Sequence, residues 1–242
     1  MYNAGWDDRP AEYAELRDCW LTRRRMRRVA EFLSAAKPGD RVLDVGCGVG
    51  EVAIDLAAAR PDLSFVGVEP QGSYTAFAAR VAAERGLANV SFRVGLAEAL
   101  AGALAGEAPF DWVFSNDVLH HVADERLVAR SVAEVARPDA AWLAIEPNWF
   151  NPYVFLECAL KRGERNFRPD RFLLQARESG WVLEDRSYIF LIPSAIKHPP
   201  PVLIRLESRL EENRMLAGGT TLTLVRGSGA VAAGSHPSHT DR

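Results

Sequence analysis

Two acidic side chains, Asp44 and Glu69, each close a short apolar run, and three glycines, Gly46, Gly48 and Gly50, follow the first of them. Glycines bunched after an apolar run allow a backbone turn with positive φ and let a ligand approach the main chain. The phosphate-cradling fingerprint is Gly-x-Gly-x-x-Gly, whereas this turn reads Gly46-Cys47-Gly48-Val49-Gly50. An acid beside the turn repels phosphate and suits an ammonium group, so the spacing points to a ligand with an amino group and no diphosphate. A carboxylate such as Glu69 can accept from two neighbouring hydroxyls, which suits a ribose. The adjacent His120 and His121 are candidates for a general base, with a structural histidine as the alternative for each. Asp117 or Glu146 could orient a hydroxyl. Ser115 lacks the elbow and triad of a hydrolase, and no Cys/His set has metal-ligand spacing, so no metal is expected.

The stretch Val42-Leu-Asp-Val-Gly-Cys-Gly-Val-Gly50 resembles the first motif of the class I S-adenosylmethionine methyltransferases. Val66-Gly-Val-Glu-Pro70 and then Phe110-Asp-Trp-Val-Phe-Ser-Asn-Asp-Val-Leu-His-His121 follow in that family's order. The resemblance covers residues 40–190 by motif. It implies a doubly wound, Rossmann-like α/β domain with a seven-stranded, mostly parallel sheet whose last strand is antiparallel and at the edge. It implies S-adenosylmethionine as cofactor, leaving as S-adenosylhomocysteine, held by Asp44, Gly46, Cys47, Gly48, Gly50, Glu69, Pro70 and Gln71. Leu96, Ala97, Glu98, Asn116, Asp117 and Val118 complete that set. Leu96 stands where relatives often carry an acid for the adenine amino group; Glu98 could replace it or could serve only the helix dipole. Asn116-Asp117-Val118-Leu119 departs from the Asn/Asp-Pro-Pro-aromatic motif of enzymes that methylate DNA bases and glutamine, which disfavours those substrates.

The elements that must hold these residues follow from periodicity. Apolar residues at helical intervals over residues 10–36 predict an N-terminal lid, counted from residue 1 to 36. Its Arg23, Arg24, Arg25, Arg27 and Arg28 read as a solvated basic face, with a phosphate grip as the alternative. Tyr2, Trp6, Tyr13 and Trp20 could close over a ligand, and packing is the alternative for each. Strands are expected from residue 41 into the glycine turn, at 63–68 and 90–94, from residue 110 into the polar groups of the 110–122 stretch, and at 141–145, 181–192 and 220–225, with a turn at 137–140. Helices are expected at 51–60, 74–85 and 127–136, and at 153–160 and 171–178 inside a cap insertion at 147–179; a further helix at 202–214 belongs to a crossover. One domain of residues 1–226 results, with a Gly- and Ser-rich tail at 227–242 expected to be disordered.

Composition narrows the partners. In 242 residues, an apolar share of 48% fits a globular core, and a net charge of −3 gives no global pull to nucleic acid or anionic lipid. Cys19, Cys47 and Cys158 are widely spaced and odd in number, which argues against a disulfide framework. No apolar run reaches the roughly 18 residues of a membrane span, so a cytoplasmic protein without stable membrane insertion is expected. The resulting expectation is O-methylation of a small molecule in secondary metabolism, with a homodimer left open. Alternatives are N- or C-methylation, a lipid, prenyl-quinone or glycan acceptor, and a non-catalytic cofactor-binding partner.

Overall fold

The computed structural model describes residues 9–160, 165–192 and 196–227. Tyr2 and Trp6, residues 161–164 of the cap connector and all but the first residue of the 227–242 tail lie outside the described residues.

Seven strands form one sheet in the order β3-β2-β1-β4-β5-β7-β6. They are β1 (Arg41–Val45), β2 (Ser64–Glu69), β3 (Val90–Val94), β4 (Phe110–Asn116), β5 (Ala136–Pro147), β6 (Trp181–Ile189) and β7 (Gly219–Arg226). The first five pair in parallel, and β7 runs antiparallel to both of its neighbours. The last strand is therefore antiparallel as expected but not at the edge: β7 inserts between β5 and β6, and β6 is the edge strand. Its burial explains the difference, because Thr220 through Leu224 are all buried.

Helices cover both faces, as a mostly parallel sheet requires. They are α1 (Pro10–Arg17), α2 (Trp20–Phe32), α3 (Glu51–Ala59), α4 (Gly72–Glu84), α5 (Leu100–Ala103), α6 (Glu125–Val135), α7 (Pro152–Leu160), α8 (Pro169–Arg177) and α9 (Pro201–Leu210). Alternation along the strands sorts the core into two layers. Leu43, Val113, Trp142 and Trp181 pack with Val128 of α6 and Phe172 of α8. Val42, Phe114, Leu143 and Ile145 pack with Val29 of α2 and Val52 of α3 on the other face. The indoles of the two fully buried tryptophans are satisfied, Trp142 donating to Ser115 Oγ at 3.1 Å and Trp181 to the Ala129 carbonyl at 3.0 Å. Asp124 caps α6 by accepting from the Arg126 amide at 3.0 Å.

Three local expectations change. Residues 137–140 belong to β5 and not to a free turn, although the register jumps from Ala136 opposite Phe110 to Ala141 opposite Trp112, so they bulge from the ladder. Within the expected 147–179 insertion, α7 stands over the strand ends, whereas α8 carries Phe172 and Ala176 into the core against α6 and β6. The basic face of α2 is mostly not solvated. Arg25 is buried, Arg24 and Arg28 are half-buried in ion pairs with Glu207, Glu211, Glu31 and Asp185, and Arg27 is exposed. Among the described residues no helix is long and apolar enough to cross a membrane.

Candidate active site

A cavity of about 600 Å³ opens at the carboxyl ends of β1, β2, β4 and β5. α1, α2, α7 and residues 190–192 wall its far side. Loops and helix N-termini meet there while the sheet itself is covered, which is why open α/β sheets bind ligands at this edge.

One end of the cavity is acidic. The glycine turn leaves β1 with positive φ at Gly46, Gly48 and Gly50, each for a different reason. A Cβ at Gly46 would collide with the Val118 side chain, and one at Gly50 would come within 2.8 Å of Ala78 and Phe92. At Gly48 it would meet only Tyr13 at 3.7 Å, so this glycine leaves main chain bare toward the cavity. The Glu69 carboxylate ties the turn to the next helix, accepting from the Gly48 amide at 3.2 Å and from the Gln71 amide at 3.2 Å. Asp44, Glu51 and Glu69 all line this end. Burial raises the Asp44 carboxyl well above its ordinary range, and the charges of Glu51 and Glu69 add to the effect. Glu69 is also raised by burial, against the two amides it accepts from.

The other end is assembled around the loop that leaves β4. Asp117 adopts a left-handed φ of 57°, a strained setting for a residue with a side chain. The turn it starts aims three amides at Glu146: Val118 and Leu119 donate to Oε1 at 2.9 and 2.8 Å, and His120 donates to Oε2 at 3.2 Å. The same carboxylate lies 2.7 Å from His120 Nδ1. His121 stacks on His120 with ring centroids 3.9 Å apart, and both rings line the cavity. Arg25 pairs with Asp117, and Arg17 lies 2.6 Å from Glu51 and 4.0 Å from Asp117. Burial alone would raise the Asp117 carboxyl, but Arg25, then His120 and Arg17, hold it below its ordinary value.

The sequence-derived residues sort clearly by position. Asp44, Gly46, Cys47, Gly48, Glu69, Gln71, Asn116, Asp117, Val118, His120 and His121 converge on this one cavity. Gly50, Pro70, Leu96, Ala97 and Glu98 do not line it. Gly50 is a packing glycine, Ala97 is buried in the core, and Leu96 is 52% exposed on the surface. Tyr13 and Arg25, which the sequence offered only as a possible cover and a possible phosphate grip, and Arg17, which it did not single out, also line the cavity. Arg25 was findable, because it sits one helical turn before the buried Val29 on the inward stripe of α2. Glu207 was not, since it acts from α9 by accepting from the amides of Leu191 and Ile192 at 2.9 and 3.1 Å and from the Trp20 indole at 2.8 Å. All three cysteines, far apart in sequence, are buried and on the cavity wall. Among the described residues no group of His, Cys, Asp and Glu could hold a metal ion.

A family model described as a methyltransferase domain matches residues 36–173, more than half of the chain. The chain belongs to the class I S-adenosylmethionine-dependent methyltransferase family. Its relatives include a ubiquinone biosynthesis O-methyltransferase of Rhizobium etli, 33% identical over 66% of this chain and 67% of that one. A 27-O-demethylrifamycin SV methyltransferase of Amycolatopsis mediterranei is 36% identical over 57% of this chain and 47% of that one. Matches to known relatives span between 38% and 67% of their length. Among solved structures, a geranyl diphosphate C-methyltransferase of Streptomyces coelicolor in complex with S-adenosylhomocysteine superposes with TM-score 0.65 at 15% identity, covering 86% of this chain and 81% of that one. At that identity the likeness is one of fold.

The family's cofactor fits the acidic end together with the β4 residues that border it. Glu51 Oε2, Asn116 Oδ1 and Asp117 Oδ1 are buried acceptor atoms with no donor among the described residues. An ammonium has three donors and no acceptor, so the cofactor's amino group is their chemical complement. Asp44 and Glu69 lie at the same end, where Gly48 leaves the main chain bare.

Proposed function

We propose that this methyltransferase transfers the methyl group of S-adenosylmethionine to a hydroxyl oxygen of a small-molecule acceptor, in the formation of a secondary metabolite. The observation that carries the reading is the division of one cavity into an end with donorless acidic acceptors and an end where a carboxylate orients a histidine. The two O-methylating relatives support oxygen as the atom, and the rifamycin-modifying relative supports the metabolic setting.

The cofactor supplies the methyl group already activated by its sulfonium charge. Glu69 and Gly48 hold its nucleoside and methionine portions, and Asp44 contributes charge from beneath the turn. Tyr13 and Arg17 of α1 cover the glycine turn and exclude water. Proximity is the largest service the protein performs, with about 7–11 kcal/mol of barrier available from alignment. An alcohol or phenol also needs a base, a service contributing on the order of a hundred- to ten-thousandfold. His120 is that base. Glu146 accepts a hydrogen bond from Nδ1 and orients the ring, so that Nε2 takes the acceptor's proton as the new O–CH3 bond forms and the S–CH3 bond breaks with its electron pair going to sulfur.

Incubation with S-adenosylmethionine and a panel of hydroxylated aromatic compounds, read by mass spectrometry, tests this. Equal amounts of methyl ether and S-adenosylhomocysteine are expected, and His120→Gln should lower turnover about a hundredfold with cofactor affinity unchanged. Methylation at nitrogen or carbon would overturn the assignment of the atom. Cofactor binding with no methylated product from any acceptor would favour a non-catalytic partner instead.

A further inference from the structure

Arg25 is the buried cation that cofactor binding leaves without a task. It lines the cavity from α2, and its side chain is 5% exposed. Its guanidinium lies 5.5 Å from the centroid of the Phe190 ring, within reach of a cation–π contact. Leu21, Cys19 and Ile192 continue the wall in apolar side chains. The counter-charge is thin: Asp117 pairs with Arg25, but Arg17 lies 4.0 Å from the same carboxylate. Arg25 Nε is buried with no acceptor among the described residues.

A guanidinium is a rigid fork of five donors, always charged, that matches the geometry of an oxyanion. A buried donor without an acceptor carries a desolvation cost that an acceptor atom brought to it would offset. Burial also pulls the Arg25 guanidinium below its ordinary pKa, with Asp117 opposing, so its charge is incompletely compensated as the protein stands. An ammonium bound beside Asp117 adds another positive charge to the same pocket. An anion then becomes the favoured occupant of the space between Arg25 and His120.

We propose that Arg25 is the acceptor-recognition residue and that the acceptor is an acidic aromatic compound, a flat apolar body bearing an ionised oxygen that docks on the guanidinium. This rests on the methyl-transfer reading and deepens it. The ionised oxygen can be a carboxylate or an acidic phenolate, and the probes separate the two.

The experiment measures binding to the protein saturated with S-adenosylhomocysteine. The probes are 3,4-dihydroxybenzoate, its neutral methyl ester, 4-nitrocatechol, which ionises near neutral pH, and catechol. The expected result is at least about tenfold tighter binding of an ionised probe than of its neutral counterpart, the equivalent of one charge-assisted hydrogen bond. Preference for the benzoate over its ester identifies a carboxylate, and preference for nitrocatechol over catechol identifies a phenolate. Arg25→Gln should erase the preference while S-adenosylhomocysteine affinity stays within about threefold, and Arg25→Lys should keep part of it, a charge without the fork. Equal binding of all four probes to the wild-type protein overturns the proposal, as does failure of both ionised probes to bind or a preference that survives in Arg25→Gln. The wild-type comparison decides even where a variant does not fold. If S-adenosylhomocysteine itself does not bind, the methyl-transfer reading fails and the proposal fails with it; if it binds without any acid preference, the proposal fails alone.

Discussion

The two ends of the cavity are built by different means. The acidic end is local: Asp44 closes β1, the glycine turn follows it immediately, and Glu69 closes the neighbouring parallel strand, so the β1–β2 pairing alone brings them together. The cationic end is assembled from distant parts of the chain. Arg25 comes from α2, Asp117 and His120 from the β4 loop, Glu146 from β5, and Phe190 from a segment that Glu207 of α9 pins in place. A locally built end can be shared by a whole family, whereas the end assembled from lid and crossover is free to vary with the acceptor.

The sharpest way to break this contrast is inside the glycine turn. Gly46→Val places a branched side chain on Val118 and in a backbone region hostile to it, so unfolding free energy should drop by about 3 kcal/mol or more in a urea titration. Gly48→Val carries the same positive-φ backbone strain but meets only Tyr13, so it should destabilise less than Gly46→Val while losing cofactor binding. Equal destabilisation of the two variants would deny that one glycine serves packing and the other the ligand.

Next in size is Glu69→Ala. It removes the carboxylate that holds the Gly48 and Gln71 amides and faces the cofactor, and the dissociation constant of S-adenosylhomocysteine should rise by about a hundredfold in calorimetry. An unchanged constant would remove Glu69 from the site. At the other end, Glu146→Gln keeps the shape but withdraws one charged acceptor from His120 and its loop. Turnover should fall by about ten- to a hundredfold with cofactor affinity nearly constant, and Glu146→Asp should recover part of it. A loss of cofactor affinity as large as the loss of turnover would make Glu146 structural for both ends.

How much of this was legible follows the same division. The sheet, its helices and the acidic end could be read because each rests on residues close in sequence and on strand-length apolar runs. The placement of β7 could not, since the position of an antiparallel strand is decided by which face it buries and not by its own pattern. After β3, Leu96 is exposed and Ala97 is buried in the core. The lid arginines looked like a solvated face because five positive charges in one helix read alike, until packing sorted them by the partners they meet.

The smallest expected effect concerns Asp44 and pH. Its carboxyl in the folded protein sits above the ordinary value near 3.8, so the folded state holds this proton after the unfolded chain has released it. Stability contributed by that proton is present at low pH and declines as pH rises from about 4 toward the raised value. Asp44→Asn removes the decline, and the cofactor-free variant should gain melting temperature relative to wild type as pH increases over that window. A constant difference across the window would mean that the Asp44 carboxyl is not strained by its neighbours.

The central claim is that the acidic end is a cation site kept ready for the cofactor, and calorimetric titration of S-adenosylhomocysteine tests it most directly. Run at several pH values in two buffers of different ionisation enthalpy, it should show binding that weakens as pH falls, with protons released on binding and the release reduced in Asp44→Asn. Absence of binding, or binding with no proton release and no dependence on Asp44, would contradict the account.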